Sequence, residues 1–420
     1  MLAAFVQKYR EAYAGLPRDA WALSFILFIN TSGTMVVFFL TLYLTRHLGF
    51  TVARAGQALS GYGFGMLAGN LLGGFSSDRI GPRATQRLSL AFSGVTLILL
   101  GYCREFSSVL IFLFLYGVSA AALFPANASA LAEICAPEIR SRGFVLSRLA
   151  SNLGATIGPV VGGFLAARHF SLLFWVDGGT CLAAALAFFV LFPTRLSWKR
   201  GSAPTTFSPR SNERGGPPPA APVSRPSPFA WRKDGTLLVV LVLTVGISAI
   251  FIQFFGTYPL YMKSVYGFTE KLIGPLFAVN TVLIVLFQMI LTHSVERFRR
   301  PRVAAAGVLL LGLGLGLLPF GRGFLYAALT IAVGTVGEML IMPTLVTLVS
   351  LRAPEGGQGQ YQGLFGLAFG IGYILGPAVG TRIYENAGAT MLWISVAGFA
   401  AILALGFLIF DGRRKSAPIG

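Results

Sequence analysis

Twelve stretches of about 20 apolar residues, separated by short charged or Pro/Gly-rich breaks, dominate this 420-residue sequence. A bilayer core about 30 Å thick takes roughly 20 apolar residues per helix, so each stretch has the length of one membrane crossing. They lie near residues 20–45, 54–76, 87–103, 108–133, 143–166, 172–193, 235–261, 272–294, 303–320, 324–350, 360–384 and 389–410. Inside hydrocarbon every backbone polar group must be satisfied within the protein, which leaves helices as the form for segments of this length. The expected fold class is an all-α integral membrane protein with twelve transmembrane helices. Charged residues are 11% of the chain and hydrophobic ones 55%, whereas soluble domains carry about a quarter charged residues. A water-soluble enzyme is thereby excluded.

The chain holds 33 Lys and Arg against 15 Asp and Glu, a net charge of +18. Positive residues favour the cytoplasmic ends of membrane helices. With both termini inside, 24 of the positives fall in cytoplasmic segments and eight on the opposite face, while Arg148 lies within a span. This pattern predicts a multi-pass protein with both termini cytoplasmic and accounts for the charge without nucleic acid as a partner; with no evident targeting peptide or exposed glycosylation loop, the expected location is the cell inner (plasma) membrane. Residues 1–18 carry Lys8, Arg10, Glu11 and Arg18 with no cleavable apolar run, so they read as a short amphipathic segment on the membrane surface rather than a signal peptide. Cys103, Cys135 and Cys181 have no ligand-like spacing, and His47, His169 and His293 stand near span ends without a second ligand. No metal and no cofactor are expected.

Residues 194–233 change character, with eight prolines, eight Lys or Arg and the single acid Glu213. Such a segment buries too little apolar area to offset its ordering entropy and reads as a cytoplasmic linker. It divides an N-terminal six-helix unit, residues 1–193, from a C-terminal one, residues 234–420. The two units repeat at an offset of 218 residues: Asp78-Arg79 matches Glu296-Arg297, Pro125 matches Pro343, and Gly154, Gly158, Pro159 and Gly162 match Gly372, Gly376, Pro377 and Gly380. One residue out of step, Ala136-Pro137-Glu138 matches Ala353-Pro354-Glu355. An even number of spans per unit makes this a parallel repeat about an axis along the membrane normal, so two similar bundles meet at one central interface.

At these residues the chain resembles the major facilitator superfamily. Gly73-Gly74-Phe75-Ser76-Ser77-Asp78-Arg79-Ile80-Gly81-Pro82-Arg83 is similar to the superfamily's signature loop between spans 2 and 3. Gly154-x-x-x-Gly158-Pro159-x-x-Gly162-Gly163 resembles the antiporter motif of the twelve-span drug/proton antiporter branch. The resemblance implies two pseudo-symmetric bundles that rock about a central cavity, with Gly74, Asp78, Arg79, Gly81, Arg83, Gly154, Gly158, Pro159, Gly162, Gly376 and Pro377 in gating and helix packing. Two features depart from the pattern. Pro82 stands where the loop carries a basic residue, which weakens a relay to a span-4 acid such as Glu133. Leu113-Phe114-Leu115-Tyr116-Gly117 lacks the arginine of the branch's span-4 motif.

Ionisable groups at bilayer centre cost at least about 2.5–3.5 kcal/mol on insertion scales, so the few present need a reason. Glu338, in Gly334-Thr335-Val336-Gly337-Glu338, is the first candidate for a proton carrier; a fixed structural hydrogen bond and a direct solute contact are the alternatives. Arg148 and Asn152 share one helical face at i and i+4, which suits a coupling or carboxylate-binding role, the alternative being an arginine that snorkels to the interface. Asp177, near the start of span 6, reads as structural, and Glu133, Glu138 and Glu355 as partners of loop arginines. Asn30, Thr34, Asn152, Gln253, Thr257 and Asn280 are candidates for the cavity wall or for cross-links between helices, with Phe-rich segments supplying apolar surface. No Walker-type phosphate loop occurs, so a gradient must drive transport. The expected function is a proton-coupled secondary transporter, acting as a monomer in the lipid bilayer, that exports a hydrophobic or amphipathic small-molecule solute. An importer or flippase for a peptide, lipid or siderophore is the alternative, and a non-transporting receptor or scaffold the alternative from another class.

Overall fold

The computed structural model describes residues 15–136, 139–192, 230–295, 297–354 and 358–416. The linker up to residue 229, the surface segment 1–14 and the repeat residues Pro137, Glu138, Glu296 and Glu355 lie outside the described residues. The described chain forms twelve helical rods, and no strand occurs among these residues. Rod α1 spans Arg18–His47 in three pieces, Arg18–Gly33, Val36–Leu42 and a π-helical turn Tyr43–His47. It is followed by α2 (Val52–Ile80), α3 (Pro82–Leu100), α4 (Phe106–Ile134), α5 (Arg140–Arg168) and α6 (Ser171–Leu191). Rod α7 is also broken, into Gly235–Phe251, Gln253–Gly256 and Tyr258–Ser264. Then come α8 (Glu270–Val295), α9 (Arg300–Gly316), α10 (Phe324–Ser350), α11 (Gln358–Asn386) and α12 (Ala389–Ser416).

Ten of the rods are long and apolar enough to cross a membrane. The other two, α2 and α3, are diluted by glycines and by Arg83, Gln86 and Arg87 respectively, yet both pack as full members of their bundle. Successive rods alternate in direction. The start of α1, the end of α12 and the α2–α3 connection therefore share one face, the terminal face, and the α1–α2 and α7–α8 connections share the distal face.

Small residues decide how closely the rods approach, because in lipid close backbone packing replaces the hydrophobic drive between helices. A Cβ added to Gly158 of α5 would lie 2.4 Å from the Thr34 carbonyl oxygen of α1, and one on Gly162 would lie 2.7 Å from Met35 Cβ. The equivalent glycines of α11 press on α7 in the same way, with a Cβ on Gly376 2.8 Å from the Ala249 carbonyl and one on Gly380 2.1 Å from Gln253 Oε1. Gly73 of α2 abuts Ala122 of α4 at 2.6 Å, whereas a Cβ on Gly74 would meet nothing within 4 Å. The packing role expected of Gly74 therefore falls to its neighbour, because the one-residue step turns Gly74 about 100° away from α4. Gly81, at φ 91°, makes the corner of the α2–α3 loop, and Pro82 starts α3 where its missing N–H costs nothing.

The two sets of six rods touch through α5 with α8, α2 with α11, and α1 with α7. These contacts run from mid-span to the distal face. A Cβ on Gly163 would lie 2.4 Å from the Glu270 carbonyl, and one on Gly274 2.3 Å from that of Pro159. Ser60 Oγ donates to the Ile374 carbonyl at 2.6 Å, and the Ala53 N–H donates to Glu385 Oε2 at 3.1 Å. Phe38 of α1 packs its ring 5.2 Å from Phe255 and 4.8 Å from Phe277, adding an aromatic seal. On the terminal face the described ion pairs Asp19–Arg83, Asp234–Arg352 and Arg299–Asp411 each lie within one set. Asp78 and Arg79 are exposed there, with the Arg79 guanidinium stacked 4.2 Å from the Phe75 ring.

Candidate solute and proton site

Glu338 sits near the middle of α10, where Gly337 lets α9 approach to within 2.3 Å of a Cβ position. Its Oε2 accepts a 2.8 Å hydrogen bond from Asn280 Nδ2 of α8. The same amide donates to Thr335 Oγ1 at 3.0 Å, and the Thr335 hydroxyl donates in turn to the Ile331 carbonyl at 2.8 Å. Glu338 and Asn280 both keep accessible surface at this depth. Beside them is a small cavity of about 20 Å³, bordered by Phe251, Phe254, Tyr258, Asn280, Thr335 and Glu338, which is room for about one water molecule.

Arg148 of α5 faces Glu338 from the other bundle and is the cation whose charge acts on it. The two form no ion pair, and the Arg148 side chain is exposed. Asn152, one turn further on, is half-buried, as the shared-face spacing requires. Three tyrosines complete the middle of the interface. Tyr62 of α2 stacks on Tyr116 of α4 at 5.5 Å, and Tyr373 of α11 lies within the electrostatic reach of both Tyr62 and Glu338. From Tyr373 an aromatic wall continues through Phe369 at 5.3 Å and Phe251 at 6.4 Å to Phe255 and the Phe38 seal. Sequence reasoning missed these tyrosines. Their signal was position, since Tyr is enriched at membrane interfaces and each of these three lies mid-span.

Several candidate wall residues are otherwise engaged. Gln253 Nε2 donates to the Gly376 carbonyl at 2.7 Å, and Thr257 Oγ1 donates to Gln253 Oε1 at 3.0 Å. Both side chains are buried; Gln253 cross-links α7 to α11 and Thr257 steadies it from within α7, while Gln253 also borders a cavity of about 690 Å³ between α7, α11 and α12. Asn30 Oδ1 accepts from Cys181 Sγ at 3.3 Å, which directs it toward α6 of its own bundle, and Thr34 Oγ1 donates to the Asn30 carbonyl of its own helix at 3.4 Å. Asp177, in the second turn of α6, reaches across to the break in α1: its Oδ2 accepts the backbone N–H groups of Met35 and Val36 at 3.0 Å each. Those two donors are among the orphans of a helix restarting in mid-membrane. Arg83 pairs with Asp19 at 3.3 Å, and Glu133 makes no ion pair among the described residues, contrary to the expected pairing with a loop arginine.

Comparison with known proteins bears on the family and the fold. The profile of the Major Facilitator Superfamily matches residues 21–367 and 254–419. "Uncharacterized MFS-type transporter YttB" of Bacillus subtilis is 26% identical over 405 residues, covering 96% of this chain and 97% of the relative. A "Na(+), Li(+), K(+)/H(+) antiporter" of Planococcus maritimus is 25% identical, covering 83% and 85% of the two chains. "Multidrug resistance protein MdtH" of Aeromonas hydrophila is 22% identical, covering 87% and 88%. Among solved structures, a peptide transporter POT in complex with sulfate superposes with a TM-score of 0.79 at 17% identity, covering 96% of each chain. The nucleoside transporter NupG superposes with a TM-score of 0.75 at 14% identity, covering 94% of this chain and 99% of its own.

Proposed function

The chain belongs to the Major Facilitator Superfamily and is a multi-pass membrane transporter, and on that premise we propose that it is a proton-coupled secondary transporter exporting a hydrophobic or amphipathic small molecule. The observation that carries the reading is Glu338, a carboxylate deep in α10 that keeps accessible surface, hydrogen-bonds Asn280 and faces Arg148 across the bundle interface. A carboxylate in hydrocarbon surroundings favours its neutral form, while a nearby cation favours the charged one. Moving Arg148 relative to Glu338 as the bundles rock is therefore a way to bind a proton in one state and release it in the other. The adjoining wall of Phe251, Phe369, Tyr373 and Tyr62, backed by the buried Tyr116, offers a solute large apolar faces with polar tips, which suits an amphipathic guest.

With the termini in the cytoplasm, as the distribution of Lys and Arg favours, the distal face, where the two sets of rods meet, is the outer one. The names of the relatives are consistent with export and antiport, since they include a multidrug resistance protein and a cation/proton antiporter. An exposed Arg148 favours a second reading, in which the solute carries a carboxylate or other anionic group.

The test is transport in proteoliposomes loaded with candidate amphipathic solutes under an imposed proton gradient. Uphill movement that stops on collapsing the gradient supports the proposal, and Glu338→Gln abolishes it. Gradient-independent accumulation, or full activity of Glu338→Gln, removes the proton role assigned to this residue.

A further inference from the structure

The broken rods α1 and α7 are interrupted at equivalent places, since Gly33 and Phe251 end their first pieces and stand 218 residues apart. The restarts are held differently. In α7 the restart carries Gln253, a neutral side chain whose amide donates to Gly376 of α11. In α1 the position equivalent to Gln253 is Met35, and Met35 and Val36 are instead held by the Asp177 carboxylate. The residue equivalent to Asp177 in the other half is Ser395. One hinge is thus held by neutral groups and the other by a group that can gain or lose a proton.

Asp177 is 1% exposed, and its Oδ1 has no hydrogen-bond partner within the protein. Among the described residues no Lys, Arg or His pairs with it. The titratable groups that face it are Tyr62 from α2, Tyr116 from α4 and Cys181 from its own helix, all neutral in their ordinary state at physiological pH. A lone carboxylate so enclosed is poised to take up a proton on its free oxygen, because a buried unpaired charge is costly. Hydrogen bonds to an ionised acceptor are roughly twice as strong as those to a neutral one. The two N–H groups at the α1 restart are therefore gripped firmly by the carboxylate and loosely by the acid. That restart leads within three residues to Phe38, which packs against Phe255 and Phe277 in the distal seal.

We propose that Asp177 is a second proton-binding site of this transporter, and that a proton on its Oδ1 loosens the α1 restart and opens the distal seal. In this scheme the ionised form holds the seal shut, the arrangement in which Phe38 packs on Phe255 and Phe277. The inference rests on the proton-coupled reading above but uses a different carboxylate in the other half. Its test therefore separates the two by assigning protonated carboxyl bands in infrared difference spectra between acid and alkaline pH, recorded on the reconstituted full chain without solute. Asp177→Asn, which keeps the acceptor oxygen, is expected to lose one carboxyl band that Glu338→Gln retains. Spin labels on α1 and α7 across the seal are expected to report a pH-dependent opening that Asp177→Asn loses and Glu338→Gln keeps. Asp177→Glu, which restores a titratable group, is expected to return a shifted band and guards against loss of folding in the amide variant. An unchanged band and unchanged pH-dependent opening in Asp177→Asn overturn the proposal, even if Glu338→Gln proves the other carboxylate essential.

Discussion

Asp234 and Arg352 meet in a two-point ion pair, Nε to Oδ2 at 2.8 Å and Nη2 to Oδ1 at 2.6 Å, that ties the start of α7 to the end of α10 on the terminal face. Burial pushes the Asp234 carboxyl up, but the Arg352 hydrogen bonds and charge, with the Leu237 and Thr236 N–H groups, outweigh it and hold the carboxyl below its ordinary value. A carboxyl depressed in the folded state contributes stability above its unfolded pKa, about 3.9, and loses it as pH falls through the folded value. Melting temperature should therefore be flat in this contribution at neutral pH and fall only in strong acid. Arg352→Gln should cost about 1 kcal/mol and remove that acid-limb contribution, which thermal unfolding of the detergent-solubilised protein across pH would register.

Replacing Asn280 by Ala deprives Glu338 of its amide donor at 2.8 Å. Hydrogen bonds to charged groups are worth about 1.5–3 kcal/mol, so the variant should transport roughly ten- to a hundredfold more slowly. Initial rates in vesicles, alongside a melting curve that remains within a few degrees of the parent, would check this.

The two adjacent glycines of α2 should respond oppositely to the same change. Gly74→Ala meets open space and should raise stability by up to about 1 kcal/mol through the gain in helix propensity. Gly73→Ala drives a methyl to 2.6 Å from Ala122 and should lower it. Equal shifts of melting temperature in the two variants would contradict the packing described for α2 and α4.

Phe38 contributes to the distal seal but not to the terminal face, so Phe38→Ala should weaken one conformational state selectively. Removing a buried Phe ring costs about 3 kcal/mol or more, equivalent to roughly a hundredfold in population. A reactive cysteine placed at Phe277 should then be labelled by an impermeant reagent much faster than in the parent background, if that side is reached from outside.

The twelve spans were legible because apolar length is a local property of the chain, and even the polar-diluted α2 and α3 were found from the breaks around them. The glycines of α5 and α11 were legible as contact points through their repetition. What the contacts join was not. Asp177 meets a backbone break 141 and 142 residues away, and a single acid near a helix start has many uses that sequence spacing does not separate. Gln253 and Thr257 looked like cavity residues because both are polar and mid-span. Whether such a group meets a solute or a neighbouring helix depends on its rotamer and on Gly376 lying opposite. Glu338 was identifiable from cost alone, since an acid in hydrocarbon demands an explanation, but its Asn280 partner needed the fold.

Gly81, with its positive φ and Pro82 directly after it, leaves α2 and α3 joined by a corner one residue long. A corner that short gives the two rods little slack, and α3 presents Leu88, Phe92, Val95 and Leu99, all exposed along its length, on its outer side. Under the rocking motion proposed above, a tilt of α2 would carry those side chains through the surrounding acyl chains, so turnover is expected to vary with lipid composition at constant solute and gradient.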